Sequence, residues 1–498
     1  MSDRNPASAD SAGHDNPHVA SDTLTSVTTT NVRFQVVGVT TLAAVMLYLD
    51  RVCIAEIAKL QEFTSALTLT EKQTGAVLSA FFFTYALAQV PAGWLSDRFG
   101  ARLMLPAYIA IWSVCTMLTG LANGFVVLIA ARMLFGLAQA GCYPTASSLV
   151  KRWISLPNRG TASGIVSFGG RVGGAIAPIL TAFLLADVVG WRMVLVIYGL
   201  AGFVVAAAFR FVVRDRPAEH PDCNEVEQNL ITQFDTDATD TGRPPFPPLL
   251  PLVRSPTMWL MCMVQYGINI GWVFLVTWLP KYLQDVKHVD AKVGGLMSTT
   301  VLCAGIVGML SGGPITDRAV RVLGRRWGRS LPVVASYVLA VSAYLSCLYL
   351  ESAWAFIAAA SLVAFATDLS VPAIWAYMQD VGGRNTAAVF GWGNMWGNLG
   401  AATTPLLVPI VLEQWDTNGD WHEAFLLFAC GFTSSPASPP WASTPTGKWN
   451  ELGFGFDWKQ RASPVLIAQP RHVRAGGSHR VDSDECVADF SIRGDEAR

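Results

Sequence analysis

The second half of this chain repeats a signature found in its first. Gly93-Trp94-Leu95-Ser96-Asp97-Arg98-Phe99-Gly100-Ala101-Arg102 ends one long apolar stretch and precedes another. Gly313-Pro314-Ile315-Thr316-Asp317-Arg318 does the same further on, followed by Arg321, Arg325, Arg326 and Arg329. A duplicated helix–short basic turn–helix unit implies two homologous helical halves. Apolar segments fall near 34–58, 74–95, 103–122, 125–150, 161–186, 191–213, 257–283, 293–315, 331–350, 354–378 and 387–411, and a twelfth begins near Trp421. About 20 residues per segment suffice to cross some 30 Å of hydrocarbon as a helix. Only 14% of the 498 residues are charged, against about 25% in soluble domains. The expectation is an all-α polytopic membrane protein of two six-helix bundles.

The domain plan follows from the breaks. Residues 1–32 are rich in Ser, Thr, Asp and Asn, lack an apolar leader, and are expected to form a disordered cytosolic tail. Residues 33–213 make the first bundle, the polar 214–255 an interdomain linker, and 256–432 the second bundle. Lys and Arg concentrate in the loops on one side, among them Arg98, Arg102, Lys151, Arg152, Arg159, Arg214, Arg318, Arg321 and Arg329. That side is assigned to the cytosol, and with it the N-terminus, in a bacterial plasma membrane. The last segment breaks off. After Phe432 comes Thr-Ser-Ser-Pro-Ala-Ser-Pro-Pro, which cannot continue a helix in lipid. Residues 433–498 are expected to be a disordered tail. A shifted reading frame in the last helix, or a half-inserted helix with a divergent tail, accounts for the change in composition.

Ionisable groups at bilayer depth are expensive and usually functional. Segment one carries Tyr48, Asp50 and Arg51; segment four, Arg132 and Gln139; segment five, Arg171; segment ten, Asp368. Arg51 and Arg132 fall at similar depth, about 10–14 Å below one surface. An excess of guanidinium charge suits an anion, and Arg binds a carboxylate through paired hydrogen bonds. Asp50 and Asp368 are the candidate proton-coupling groups. A structural ion-pair network of Asp50, Arg51 and Arg132 is the alternative. Gln265, Tyr266 and Asn269 share one helix, and Asn394 and Asn398 share another. They suit substrate hydroxyls or interhelical bonding. Asp97, Arg98, Arg102, Asp317 and Arg318 lie at helix ends and read as an interdomain latch. The nine cysteines show no metal-ligand spacing, and no nucleophile–base pair or phosphate loop appears, so neither a metal site nor an enzyme is expected.

The duplicated motif resembles the loop between helices two and three, and eight and nine, of the major facilitator superfamily. A closer likeness rests on several strings. They are Tyr48-Leu49-Asp50-Arg51, Arg132 with Tyr143-Pro144, Pro157-Asn158-Arg159-Gly160, Arg216-Pro217-Ala218-Glu219-His220-Pro221, Thr277-Trp278-Leu279-Pro280-Lys281-Tyr282-Leu283, and Asn394 with Gly397-Asn398. Together these resemble the anion:cation symporter family, with its hexuronate, sugar-acid and phthalate transporters. The resemblance implies proton-coupled uptake of an organic carboxylate by a monomer in the bilayer, without cofactor or nucleic acid, with Arg51 and Arg132 on the substrate and Asp50 on the proton. One departure stands out: Gln139 occupies a position where that family often has Glu. An organic-anion exporter or exchanger, a non-transporting sensor, or a product inactivated by its damaged last helix are the competing expectations.

Overall fold

The computed structural model describes residues 28–187, 190–233, 244, 249–414 and 421–433, and among these every regular element is helical. The first half comprises α1 (Val32–Ile57), the short α2 (Gln61–Ala66), α3 (Glu71–Phe99), α4 (Ala101–Leu121), α5 (Phe125–Gln139), α6 (Cys142–Trp153), α7 (Arg159–Asp187) and α8 (Trp191–Val212). The short α9 (Glu225–Thr232) and α10 (Leu249–Arg254) lead into the second half. There α11 (Pro256–Val273) continues through a π-helical turn, Phe274–Trp278, into α12 (Leu279–Asp285). It is followed by α13 (Ala291–Cys347), α14 (Ala353–Val381), α15 (Thr386–Gln414) and α16 (His422–Thr433).

Ten of the described segments are long and apolar enough to cross a bilayer. One of them, Lys292–Cys347, counts twice, because the chain reverses inside it at Gly324, where φ is 76°. Gly100 plays the same part between α3 and α4 with φ 90°. Both turns need the left-handed backbone that glycine adopts without penalty, and both follow the duplicated Asp-Arg pair. α5 and α6 form one crossing broken at Ala140 and Gly141. Large apolar side chains such as Val126, Ile179, Phe211 and Leu406 are exposed, as a lipid-facing surface requires.

Close helix contact comes from small residues. The run Gly169-Gly170-Arg171-Val172-Gly173-Gly174 lets α7 lie against α1, with Gly169 on Thr41 and Gly173 on the Val45 backbone, so that no Cβ fits between them. Of the last apolar segment the described residues hold α16, which is 12 residues long. Aromatic packing anchors it. Phe274 is fully buried and stands 5.4 Å from Phe425 and 4.7 Å from Phe428, centroid to centroid. Residues 434–498, expected to form the tail, lie outside the described residues, as do 1–27.

The residues just before α1 and the linker meet in a way the sequence does not announce. Glu227 of α9 is buried and accepts the backbone N–H groups of Val32 and Arg33 at 3.3 and 3.2 Å. It also pairs with the Arg33 guanidinium at 3.2 Å, while Asn224 donates to the Thr28 carbonyl at 2.8 Å. A carboxylate at a helix N-terminus satisfies orphan donors and favours the helix dipole. The linker thus caps the first spanning helix.

Replacing Phe274 with Ala removes the ring around which Tyr282, Tyr344, Phe425 and Phe428 pack. It should cost about 3–5 kcal/mol and lower the thermal unfolding midpoint in detergent by several degrees, whereas an unchanged midpoint would show that α16 is not held there.

Candidate functional site

At the end bearing the basic loops, the two copies of the signature do the same job on opposite partners. Asp97, at the end of α3 in the first bundle, accepts the backbone N–H groups of Ala387 and Ala388 at 3.0 and 2.9 Å, capping α15 of the second bundle. Asp317, in α13 of the second bundle, accepts those of Gly160 and Thr161 at 2.9 and 2.8 Å, capping α7 of the first. The glycine four residues earlier makes room in each case. A Cβ on Gly93 would stand 2.5 Å from the Ala387 carbonyl oxygen, and one on Gly313 would stand 2.6 Å from the Thr161 Cα. The motif therefore works as Gly for approach and Asp for capping, repeated across a pseudo-twofold.

Buried ion pairs reinforce this junction. Asp380 of α14 binds Arg159 of α7 at 3.0 Å and Arg329 of α13 at 3.1 Å, each of the three being almost wholly buried. Arg329 also lies 3.5 Å from Asp317 and donates to the Leu156 carbonyl at 3.0 Å. Lys151 donates to the Gly383 carbonyl at 2.8 Å, and Arg321 to Asn158 Oδ1 at 2.6 Å. These cations were counted only as loop charge in the sequence. The arginines named there for the latch sit elsewhere. Arg98 donates to the Pro244 carbonyl of the linker, and the Arg102 backbone N–H to Asp215. Arg318 is exposed.

Deeper in the first bundle, Asp50, Arg51 and Arg132 come together without pairing. Asp50 is buried and accepts a hydrogen bond from Trp112 Nε1 at 2.9 Å through Oδ2, while its Oδ1 has no partner. The Arg51 guanidinium lies among aromatic rings, 4.8 Å from Tyr48, 4.9 Å from Phe81 and 4.5 Å from Tyr85. Its Nε donates to Gln139 Oε1 at 3.4 Å and its Nη2 donates to nothing. Gln139 in turn donates to the Leu47 carbonyl at 3.0 Å. Arg132 stands 5.1 Å from Phe81 and 4.7 Å from Phe135, and its Nε has no partner. Arg132 is buried where Arg51 is half-buried, so Arg51 is the more accessible of the two. The ion-pair network weighed as the alternative does not form: among the described residues none of these three is ion-paired.

A second charged constellation spans the bundles. Arg171 of α7 donates through Nη2 to Asp368 of α14 at 2.7 Å, and its guanidinium stacks 4.1 Å over Trp272 of α11. The sequence flagged both residues but not their union. Nearby, Tyr143 stands 5.2 Å from Trp375 across the interface and 6.4 Å from Tyr48 within its own bundle. Arg171 is twelve residues along α7, roughly 18 Å from the basic end. The interbundle bonds described here lie between that end and this level.

The amides of the second bundle are divided between structure and site. Tyr266 shares a hydrogen bond with Thr403 at 2.8 Å, joining α11 to α15. Asn269 and Asn398 each donate to the carbonyl four residues earlier, of Gln265 and Asn394, at 2.8 and 2.7 Å. Asn394 reaches across to Gln89 of α3 at 2.6 Å. Gln265, Tyr266, Asn269, Asn394 and Asn398 are all half-buried, so their spare valences remain reachable. Gln89, Trp272 and Trp375 escaped the sequence reading because an amide or indole in an apolar segment reads as packing.

The sequence profile described as Major Facilitator Superfamily matches residues 40–405. The probable sulfoacetate transporter SauU of Cupriavidus necator is 29% identical over 385 residues, spanning 77% of this chain and 88% of that protein. The probable galactarate/D-glucarate transporter GudP of Escherichia coli is 28% identical, over 80% of this chain and 90% of that protein. The hexuronate transporter of Bacillus subtilis is 26% identical, over 78% and 89%. Among solved structures, the human organic anion transporter MFSD10 superposes with a TM-score of 0.60 at 16% identity, over 82% of this chain and all of that one. The proton:xylose symporter XylE superposes with a TM-score of 0.62 at 13% identity, over 83% and 96%. A profile that spans most of the chain, on two bundles joined by reciprocal aspartate caps, makes this multi-pass membrane transporter a member of the Major Facilitator Superfamily.

Proposed function

We propose that the protein is a secondary symporter that carries an organic carboxylate of the sugar-acid type together with protons, by alternating access. The observation that carries this reading is the pair of unfilled guanidinium donors, Arg51 Nη2 and Arg132 Nε, inside a membrane protein. A buried donor without a partner costs about 1–3 kcal/mol, more when charged. An anion that accepts from Arg51 removes that cost, and the rings of Tyr48, Phe81 and Tyr85 exclude competing water while supporting the cation. The half-buried amides Gln265, Asn269, Asn394 and Asn398 suit the hydroxyl groups of a sugar acid. The names of the relatives, sulfoacetate, galactarate, glucarate and hexuronate transporters, support an organic acid as the cargo.

Asp50 is the proton site of this reading. Its Oδ1 accepts no hydrogen bond, with the Thr116 hydroxyl close to the carboxyl. Arg132 acts on it electrostatically, and an anion arriving at the arginines weakens that influence. Substrate and proton then favour each other's binding. A second reading, anion exchange without protons, draws on Gln139, which cannot titrate and whose amide is engaged with Arg51 and Leu47.

By the positive-inside rule the basic loops lie in the cytosol, so the bundles are joined on the cytosolic side. The Asp97 and Asp317 caps and the Asp380 pairs are the latch that opens when the site turns inward. Because each Asp holds two N–H groups of the opposing bundle, rocking must break both sets together.

Three outcomes follow. Arg51→Ala should cost about 2–5 kcal/mol, some 30-fold or more in affinity, with normal amounts of folded protein in the membrane; near-normal uptake of hexuronates, aldonates and aldarates alike would remove the site assignment. Asp50→Asn should abolish accumulation driven by an imposed pH gradient but keep counterflow exchange. Pure exchange already in the unaltered protein would favour the second reading. Asp317→Ala should speed labelling by an impermeant maleimide, applied from the cytosolic face, of a cysteine placed at the buried Ser163 by at least about tenfold, which corresponds to losing one charge-assisted hydrogen bond; an unchanged rate would mean that Asp317 does not hold the gate.

A further inference from the structure

The polar ties between the bundles form a series in depth. Nearest the basic end are the Asp97 and Asp317 caps and the Asp380 pairs. Next comes Gln379 of α14, whose Nε2 donates to Ser163 Oγ of α7 at 3.0 Å. Asn394 of α15 then donates to Gln89 of α3 at 2.6 Å, and deepest is the Arg171–Asp368 pair at 2.7 Å. Counted along α7 from Arg159 and along α15 from Thr386 at 1.5 Å per residue, Ser163 lies roughly 6 Å in, Asn394 12 Å and Arg171 18 Å. The last two bracket the middle of a hydrocarbon layer about 30 Å thick. They also stand on opposite sides of the interface, because α15 in one seam is the pseudo-twofold counterpart of α7 in the other.

The deepest tie is built as a ball in a socket. A Cβ on Gly305 of α13 would stand 2.7 Å from Asp368 Oδ2, so the carboxylate is seated against that helix. Trp272 of α11 forms the other wall, 4.1 Å from the guanidinium. Helices α11, α13 and α14 of the second bundle thus make a fixed seat for one cation of the first. Arginine enters it on a stem with several rotatable bonds, which can follow a change of helix angle without releasing the head. At the other joint the helices touch through backbone. A Cβ on Gly391 would stand 2.5 Å from the Gln89 carbonyl oxygen.

We propose that these two joints are the axle on which the bundles turn: Arg171–Asp368 and Gln89–Asn394 stay made in both open states, while the caps, the Asp380 pairs and the Gln379–Ser163 bond break and re-form. The proposal rests on the reading of the protein as an alternating-access carrier and is independent of what it carries. A rotation of about 15°, as between subunits in other switching proteins, displaces a group 18 Å from the axis by roughly 5 Å and a group on the axis hardly at all. Groups at the basic end meet water when they part. Arg171 and Asp368 parted at mid-depth would leave two bare charges in a low-dielectric interior, which is strongly penalised. The pair that is hardest to separate therefore sits where rocking separates least.

The test locks one level at a time. Cysteine pairs replace Arg171 and Asp368, Gln89 and Asn394, or Ser163 and Gln379 in the full-length protein, and each pair is bridged by a flexible, reducible bis-methanethiosulfonate linker. Hydrogen exchange at the backbone N–H groups of Gly160, Thr161, Ala387 and Ala388, which the caps protect when the basic end is shut, is followed by mass spectrometry before and after reduction. The Ser163–Gln379 linker should slow that exchange by about tenfold or more, whereas either axle linker should change it by less than about twofold. Each variant serves as its own reference, and the Gln89–Asn394 pair gives the result independently should loss of the ion pair prevent folding. The proposal is overturned if the axle linkers slow exchange as much as the Ser163–Gln379 linker does. If no linker slows it, the bundles do not part at the basic end, and alternating access falls together with the proposal.

Discussion

A guanidinium inside a membrane protein must be answered by negative charge or by hydrogen-bond acceptors, because neither lipid nor packed side chains solvate it. This chain meets that requirement in two opposite ways. At the basic end Arg159 and Arg329 are closed by Asp380, Asp317 and backbone carbonyls. In the first bundle Arg51 and Arg132 lean on aromatic faces and keep donors unfilled. The first arrangement is what a latch needs, since it is strong when shut and strongly penalised when only one partner leaves. The second leaves donors that, in the proposed function, the ligand would fill.

The duplicated signature gives the latch its form. Gly93 and Gly313 permit a helix start from the other bundle to approach, and Asp97 and Asp317 then satisfy its exposed N–H groups. Each bundle thus supplies the cap for the other's helix. The basic residues next to these aspartates were expected to bridge the bundles, but Arg98 serves the linker and Arg318 faces outward. The cations that do bridge are Lys151 and Arg159 of the first bundle and Arg321 and Arg329 of the second. Arg171 with Asp368 adds a joint near mid-depth, which is the level at which a ligand would be sensed by both bundles.

Much of the fold was legible from hydropathy. The helix positions follow from apolar runs and their breaks, because the membrane leaves a helix as the only local solution. The location of charge was legible too, since Asp50, Arg51, Arg132, Arg171 and Asp368 stand out in apolar surroundings. Partnership was not. Whether Asp50 pairs with its neighbour Arg51 or with Trp112 depends on how α1 is rotated against α4, and nothing local to either helix encodes that. Arg171 and Asp368 are separated by nearly two hundred residues, and only the pseudo-symmetric docking of α7 against α14 joins them. The capping of α1 by Glu227 was hidden for another reason: the linker's composition reads as spacer, yet eight of its residues form a helix with a buried carboxylate.

The central claim is that an anion completes the unfilled cations of the first bundle, Arg51 and Arg132. Its most direct test is a structure of the full-length protein with a bound organic anion carrying a heavy scatterer, such as a brominated sugar acid, located by its anomalous signal. The account predicts the acid group within hydrogen-bonding distance of Arg51 Nη2, in the space shared by Tyr48 and Tyr143. An anion bound elsewhere, with Arg51 still enclosed by Tyr48, Phe81 and Tyr85 and its donor unfilled, would contradict it.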